Sequence, residues 1–167
     1  MRNTTLRELL RGKRAHADPL ACVEDVPLAL AGQTVDGYPH SIFQIVGHLN
    51  YWMDYEIRRM AGEPTLYPQH AIESWPPSAT PENEERWREA IARFGGLLGK
   101  LEELASAGEE VLDRVVRGNH PVQESESSSV EAVLWQTLVH NSYHIGQVAL
   151  LRRCLGAWPP RLGGDSW

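Results

Sequence analysis

Cysteine is nearly absent: Cys22 and Cys154 are the only two in 167 residues, and they stand far apart in the chain. So few thiols exclude a disulfide-built fold, and a chain this long, burying roughly two thirds of its unfolded surface, does not need one. Both thiols are expected to be buried and reduced. Basic charge is also short, with 16 Lys+Arg against 22 Asp+Glu and a formal charge of −6. That balance repels phosphate backbones and anionic headgroups, which argues against nucleic-acid and membrane partners. The one basic cluster, Arg7, Arg11, Lys13 and Arg14, reads as the solvated face of a short first helix. No apolar run approaches the about 20 residues that span a bilayer, and the opening MRNTTLRELLRGKR has no signal-peptide core. A reducing, cytoplasmic compartment is the expectation. Period-two alternation is missing too, so no sheet is expected.

With 42% hydrophobic and 23% charged residues, the composition is that of a folded globular domain, and residues 1–167 read as one such domain. Four periodic segments are separated by Pro and Gly clusters. The first, residues 4–32, is amphipathic but broken. A short helix should end near Ala15, and Asp18-Pro19 should cap and start another. Ser41 caps a second helix over residues 42–61, with Ile45, Val46, Leu49 and Met53 in its apolar stripe. A third, residues 81–107, takes Thr80 as its cap and buries Trp87, Phe94, Leu98 and Leu101; Gly95, Gly96 and Gly99 weaken it, so packing must hold it. The fourth, residues 129–155, is capped by Ser128 or Ser129 and stopped by Gly156. Residues 63–80 form a proline-rich crossing whose Tyr67 and Trp75 should pack onto the body, and residues 108–129 form a second, with an ordered stretch near 111–117. Four helices joined by long crossings predict an all-α four-helix bundle.

The chemistry concentrates in the fourth helix. His140 and His144 lie one turn apart on one face, among Val133, Thr137, Gln147 and Leu151. Two imidazoles on an otherwise apolar strip have two readings: a clasp on one metal ion, or core histidines bonded to backbone or to each other. The spacing is also that of the HExxH zinc peptidases, but Asn141 stands where their general-base Glu must be, which argues against peptidase activity. His48, in the middle of the second helix between Gln44 and Trp52, strengthens the metal reading. Three imidazole nitrogens leave coordination positions open for water or substrate, and they suit Zn, Ni, Fe, Co or Cu. Gln44, Trp52, Tyr143 and Gln147 are candidates for the pocket wall or for support of the ligands, a core or interface role being equally open to Trp52 and Tyr143. His16, at the break in the first segment, and His40, before the second helix, are candidates for an extra ligand or proton shuttle, against the plainer reading of half-exposed helix-end residues. His70 and His120 read as surface residues of the crossings. No Glu or Asp stands beside the ligands, which favours a thiolate over water needing a base, unless a loop carboxylate such as Glu73 or Asp165 folds back.

GHLNYW around His48 and HNSYHIGQVALLRRCLG around His140 and His144, with LRELL, PHSIFQIVGHL and LGAWPP, resemble the DinB (YfiT-like) superfamily of metal-binding four-helix bundles. The likeness spans essentially the whole chain, and HN-x-YH-x-GQ is its specific part. It implies a three-histidine divalent metal site, carried here by His48, His140 and His144, and a homodimer. Some members are thiol-dependent enzymes, including mycothiol-dependent maleylpyruvate isomerase and bacillithiol S-transferases. Two functions are therefore expected. One is a metal-dependent S-transferase, or related hydrolase or isomerase, using a low-molecular-weight thiol on a small-molecule substrate. The other is a non-catalytic binding or stress-response protein whose bundle the ion braces. For assembly, Ser142, Gly146 and Ala149 beside Trp135 and Ile145 offer a close-packing face to a second copy.

Overall fold

In the computed structural model, which describes residues 2–13, 15–118 and 127–162, the first segment is broken more finely than its periodicity suggests. α1 (Arg2–Leu10) stops well before Ala15, because Gly12 takes a left-handed φ of 72° and turns the chain. The Asp18 carboxylate then accepts from the N–H groups of Leu20 and Ala21 at 2.8 and 3.1 Å, in the turn that leads into α2 (Ala21–Glu24). Pro27 interrupts that turn, and one more turn follows as α3 (Leu28–Ala31).

The longer helices begin at side chains that satisfy free backbone N–H groups. Ser41 and Gln44 form a reciprocal capping box at the start of α4 (Ile42–Met60). α5 (Glu84–Ala105) starts later than expected, and its cap is Asn83 rather than Thr80: the Asn83 side chain accepts from Arg86 N–H at 2.9 Å. Thr80 is engaged elsewhere, its N–H donating to Ser78 Oγ. A single turn, α6 (Glu109–Leu112), precedes α7 (Val130–Cys154), which Ser129 caps and Gly156, at φ 70°, follows. A two-residue antiparallel ladder, Val115–Val116 (β1) with Ser128–Ser129 (β2), is the only sheet among the described residues, where none was expected.

α1, α5, α4 and α7 pack in a closed ring, each against the next, around a core that includes Leu6, Leu49, Met53, Phe94, Leu98, Leu134 and Ile145. The fold is the expected all-α bundle. Residues 61–83 cross its surface with one 3-10 turn (Ala71–Ser74) seated on α4. Gly47 is what lets this crossing come close: a Cβ there would meet Pro76 Cγ at 2.2 Å. Gln44 Nε2 donates to Pro76 O at 3.0 Å and fastens the same point. At the other end, Arg152, 2% exposed, donates to Cys22 O at 2.8 Å and pairs with Asp25 at 2.6 Å, tying α7 to the broken first segment.

Both cysteines are free, as expected, but only Cys22 is buried; Cys154 is exposed at the end of α7. Burial raises the Cys22 thiol to about 11, so it stays protonated. The basic cluster is a paired surface: Arg7 faces Glu102, Arg11 faces Asp18 and Lys13 faces Glu8. Arg14, His120 and Asp165 lie outside the described residues. Among those described, no helix is long and apolar enough to cross a membrane.

Candidate metal centre

α4 and α7 are adjacent in the ring, and His48 on one meets His140 and His144 on the other. Their ring centroids lie 5.2 Å (His48 to His140), 4.8 Å (His48 to His144) and 4.7 Å (His140 to His144) apart. One ligand atom from each falls within 4.8 Å of the others. His48 and His144 are 6% and 7% exposed, and His140 is half-buried.

Neighbours fix the protonation of two rings. Ser74 Oγ donates to Ala71 O at 2.7 Å, so it accepts from His48 Nδ1–H at 2.9 Å and leaves His48 Nε2 a lone pair. Gln147 Oε1 accepts from His144 Nδ1–H at 2.8 Å and leaves that Nε2 free as well. Burial, helped by the neighbouring rings, pushes His48 down to about 3 and His140 to about 4, and lowers His144. All three are therefore neutral at neutral pH, the form that binds metal.

The donor set fits a divalent ion. His48 Nε2 and His140 Nε2 face each other at 3.2 Å. Two nitrogens held at about 2.0–2.1 Å by one tetrahedral ion would lie about 3.3 Å apart. Without a cation the contact is satisfied only if His140 carries its proton on Nε2.

The aromatic residues of the crossing seal one side. Trp75 is stacked between His48, at 3.8 Å, and His40, at 3.7 Å. His40 is thus separated from His48 by the indole, and its own ring is driven toward neutrality by burial. Two of the three, His48 and His140, line a cavity of about 330 Å³ with Trp52, Tyr67, Thr137 and Glu56 among others.

The family model of the DinB superfamily matches residues 11–148, a span that contains all three histidines. The chain belongs to the DinB superfamily. No curated protein and no solved structure matches it. Membership and the three-histidine group together fit a metal-binding DinB-like protein.

The other sequence candidates of this DinB-superfamily chain divide. Trp52 lines the cavity edge-on to His48, with centroids 6.4 Å apart, and Gln147 holds His144. Gln44 secures the crossing instead of touching the cavity, and Tyr143 is 66% exposed with its edge toward His144. His16 is elsewhere: it bonds Ser142 Oγ at 2.9 Å and Ala17 O at 2.8 Å, and lines a separate cavity of about 200 Å³. Glu73 folds back onto its own turn, accepting from His70 N–H at 3.1 Å, and His70 is exposed as expected. Asn141 is 3% exposed and turned into the core.

Ser74 and Glu56 escaped the sequence reading, and Trp75 was expected on the body but not at the ligands. Ser74 and Trp75 reach His48 only because the crossing lies where Gly47 admits it. Glu56 lines the same cavity two turns along α4 from His48, without adjoining the ligands. Its signal was the series His48, Trp52, Glu56, one residue per turn along one side of α4.

Proposed function

We propose that His48, His140 and His144 hold one divalent metal ion and that the protein is an enzyme transferring a low-molecular-weight thiol to a small electrophile, with hydrolysis or isomerisation as related outcomes. The observation that carries this reading is the pair of tautomers set by Ser74 and Gln147, which keep imidazole Nε2 lone pairs free beside a cavity walled by Trp52 and Tyr67. A divalent ion there supplies Lewis acidity, lowering the pKa of a coordinated thiol or water. The chain's own residues do the rest. Ser74 and Gln147 keep the rings oriented, and Trp75 excludes water from the buried face of His48. Thr137, in the cavity lining, turns its hydroxyl to Val133 O at 2.8 Å. No carboxylate adjoins the ligands among the described residues, Glu56 being two turns away, which supports a thiol nucleophile over peptide hydrolysis.

The test is conjugation of mycothiol or bacillithiol to an electrophilic bimane, with and without chelator, beside a casein-hydrolysis control. Chelator-sensitive conjugation without proteolysis is expected. Conjugation indifferent to chelator, or chelator-sensitive proteolysis, overturns the reading. The group also bridges α4 and α7, which favours a second reading, in which the ion only braces the bundle. Bracing predicts a large fall in melting temperature on chelation with no conjugation in any metal form.

A homodimer belongs to the same proposal. Trp135, Val139, Tyr143 and Leu150 are 37%, 63%, 66% and 44% exposed and recur every turn or two along α7, a stripe suited to a second copy. Ile145, 2% exposed, belongs to the monomer core and not to that stripe. Two free cysteines accord with a reducing cytoplasm, which the proposal takes as its compartment.

A further inference from the structure

The cavity beside the three histidines has a second polar end. Glu56 stands there with its side chain only 15% exposed. Its Oε2 accepts from Arg59 Nε at 2.8 Å, and its Oε1 has no partner among the described residues. Arg59 does not join it in the cavity. The guanidinium lines a neighbouring cavity and donates to Arg117 O at 3.3 Å. Glu56 is thus the one charged side chain of the lining among the described residues. Trp52 and Tyr67 stand beside it, their rings 5.6 Å apart and inclined at 51°.

A largely buried carboxylate that shares a cavity lining with two aromatic rings is complementary to an organic cation: ring faces attract positive charge and the carboxylate oxygen left over from Arg59 supplies an acceptor. A neutral group in that place would leave Oε1 without a donor, and an anionic one would meet like charge. We propose that this end of the cavity binds an alkylammonium group, so that the substrate or thiol carries a protonated amine. The inference rests on reading the cavity as the substrate site. It narrows that site's ligand to a molecule with a metal-seeking group at one end and an ammonium at the other. His48 and Glu56 are eight residues apart on α4, so the two ends are separated by at most about 12 Å along the helix axis. A chain of roughly six carbons spans most of that distance.

The experiment is an NMR titration of isotopically labelled protein, following the Trp52 indole N–H, on metal-free and zinc-loaded forms. The probes are hexylammonium chloride, hexanol, aminohexanethiol and mercaptohexanol. In the metal-free form hexylammonium should bind about tenfold more tightly than hexanol, the advantage expected of a carboxylate and ring faces acting together. Glu56→Gln, which keeps an acceptor for Arg59, should erase that preference while leaving hexanol binding and helical circular dichroism unchanged. Glu56→Asp should retain part of it. Equal binding of hexylammonium and hexanol to the wild type, or a preference that survives Glu56→Gln, overturns the proposal. The zinc-loaded arm separates it from the thiol reading. There aminohexanethiol should exceed both mercaptohexanol and hexylammonium. If mercaptohexanol fails to bind while the Glu56-dependent ammonium preference holds, the thiol reading falls and the ammonium site stands.

Discussion

Replacing Gly47 by alanine should push the crossing off α4 while the bundle stays folded. Gly47 is mid-helix, one residue before His48, where glycine normally costs about 0.5–1 kcal/mol relative to alanine. A Cβ at this position would meet Pro76 Cγ at 2.2 Å and Cδ at 2.9 Å. Ordinary contact distances are about 3.5–4.0 Å, so Pro76 must retreat by more than an ångström. Trp75, stacked 3.8 Å from His48, and Ser74, 2.9 Å from His48 Nδ1, sit on the same stretch of chain and move with it. Overpacking of this kind costs about 1–3 kcal/mol, and the helix gain returns about 0.5–1 kcal/mol, so the net loss should be about 0–2.5 kcal/mol. The larger effect is on metal affinity, which should fall about 10–100-fold as His48 loses its orienting partner. Gly96→Ala is the control: its Cβ has nothing within 4 Å, so it should stabilise by up to about 1 kcal/mol and leave metal binding alone. Urea unfolding by circular dichroism and competition with a chromophoric chelator measure the two quantities. If Gly47→Ala stabilises as Gly96→Ala does, at unchanged metal affinity, the role given to the crossing is refuted.

Ser74→Ala removes the acceptor of His48 Nδ1–H, and should weaken metal binding about 10–100-fold with little change in fold, read by the same chelator competition. Arg152→Ala leaves the Asp25 carboxylate with Arg161 alone and should cost about 3 kcal/mol in urea unfolding. Burial raises the Asp25 carboxyl, but the hydrogen bonds and charges of Arg152 and Arg161 outweigh it, and the folded pKa is lowered. Asp25 therefore adds stability above its unfolded pKa of about 3.9, and that stability is lost as pH falls below this toward the folded value. Arg152→Ala should flatten that acid-side loss in a pH series of melting temperatures. For assembly, light scattering at micromolar concentration should give twice the 18.8 kDa chain mass, and a value of 18.8 kDa would count against the dimer.

Much of the fold was legible because its signals are local. The Ser41 and Ser129 caps, the Asp18 carboxylate and the stop at Gly156 act within a few residues of where they stand, and the helical period put His140 and His144 on one face. Thr80 and Asn83 are both competent caps, and the choice turned on Thr80 being drawn into a turn with Ser78. The pairing of His48 with the fourth-helix histidines was legible as a ligand set but not as a geometry. Tyr67 and Trp75 pack onto the body as the sequence led one to expect, but the path that brings the crossing to His48 was not legible. It depends on Gly47 meeting Pro76 and on Ser74 and Trp75 reaching His48, contacts between residues 26 to 29 positions apart whose side chains carry no periodic signature. Glu56 was hidden for another reason: at i+8 from His48 and beside Arg59 it looks like one half of a surface ion pair, and only the cavity distinguishes it.

The most direct test of the central claim is the metal content of purified protein, by inductively coupled plasma mass spectrometry, for the wild type and the His140→Ala, His144→Ala double variant. The account predicts close to one divalent ion per wild-type chain and almost none in the double variant, with helical circular dichroism retained, since the bundle rests on its apolar core. Full occupancy in the double variant, or a wild type that takes up no divalent ion after dialysis against zinc, would contradict it.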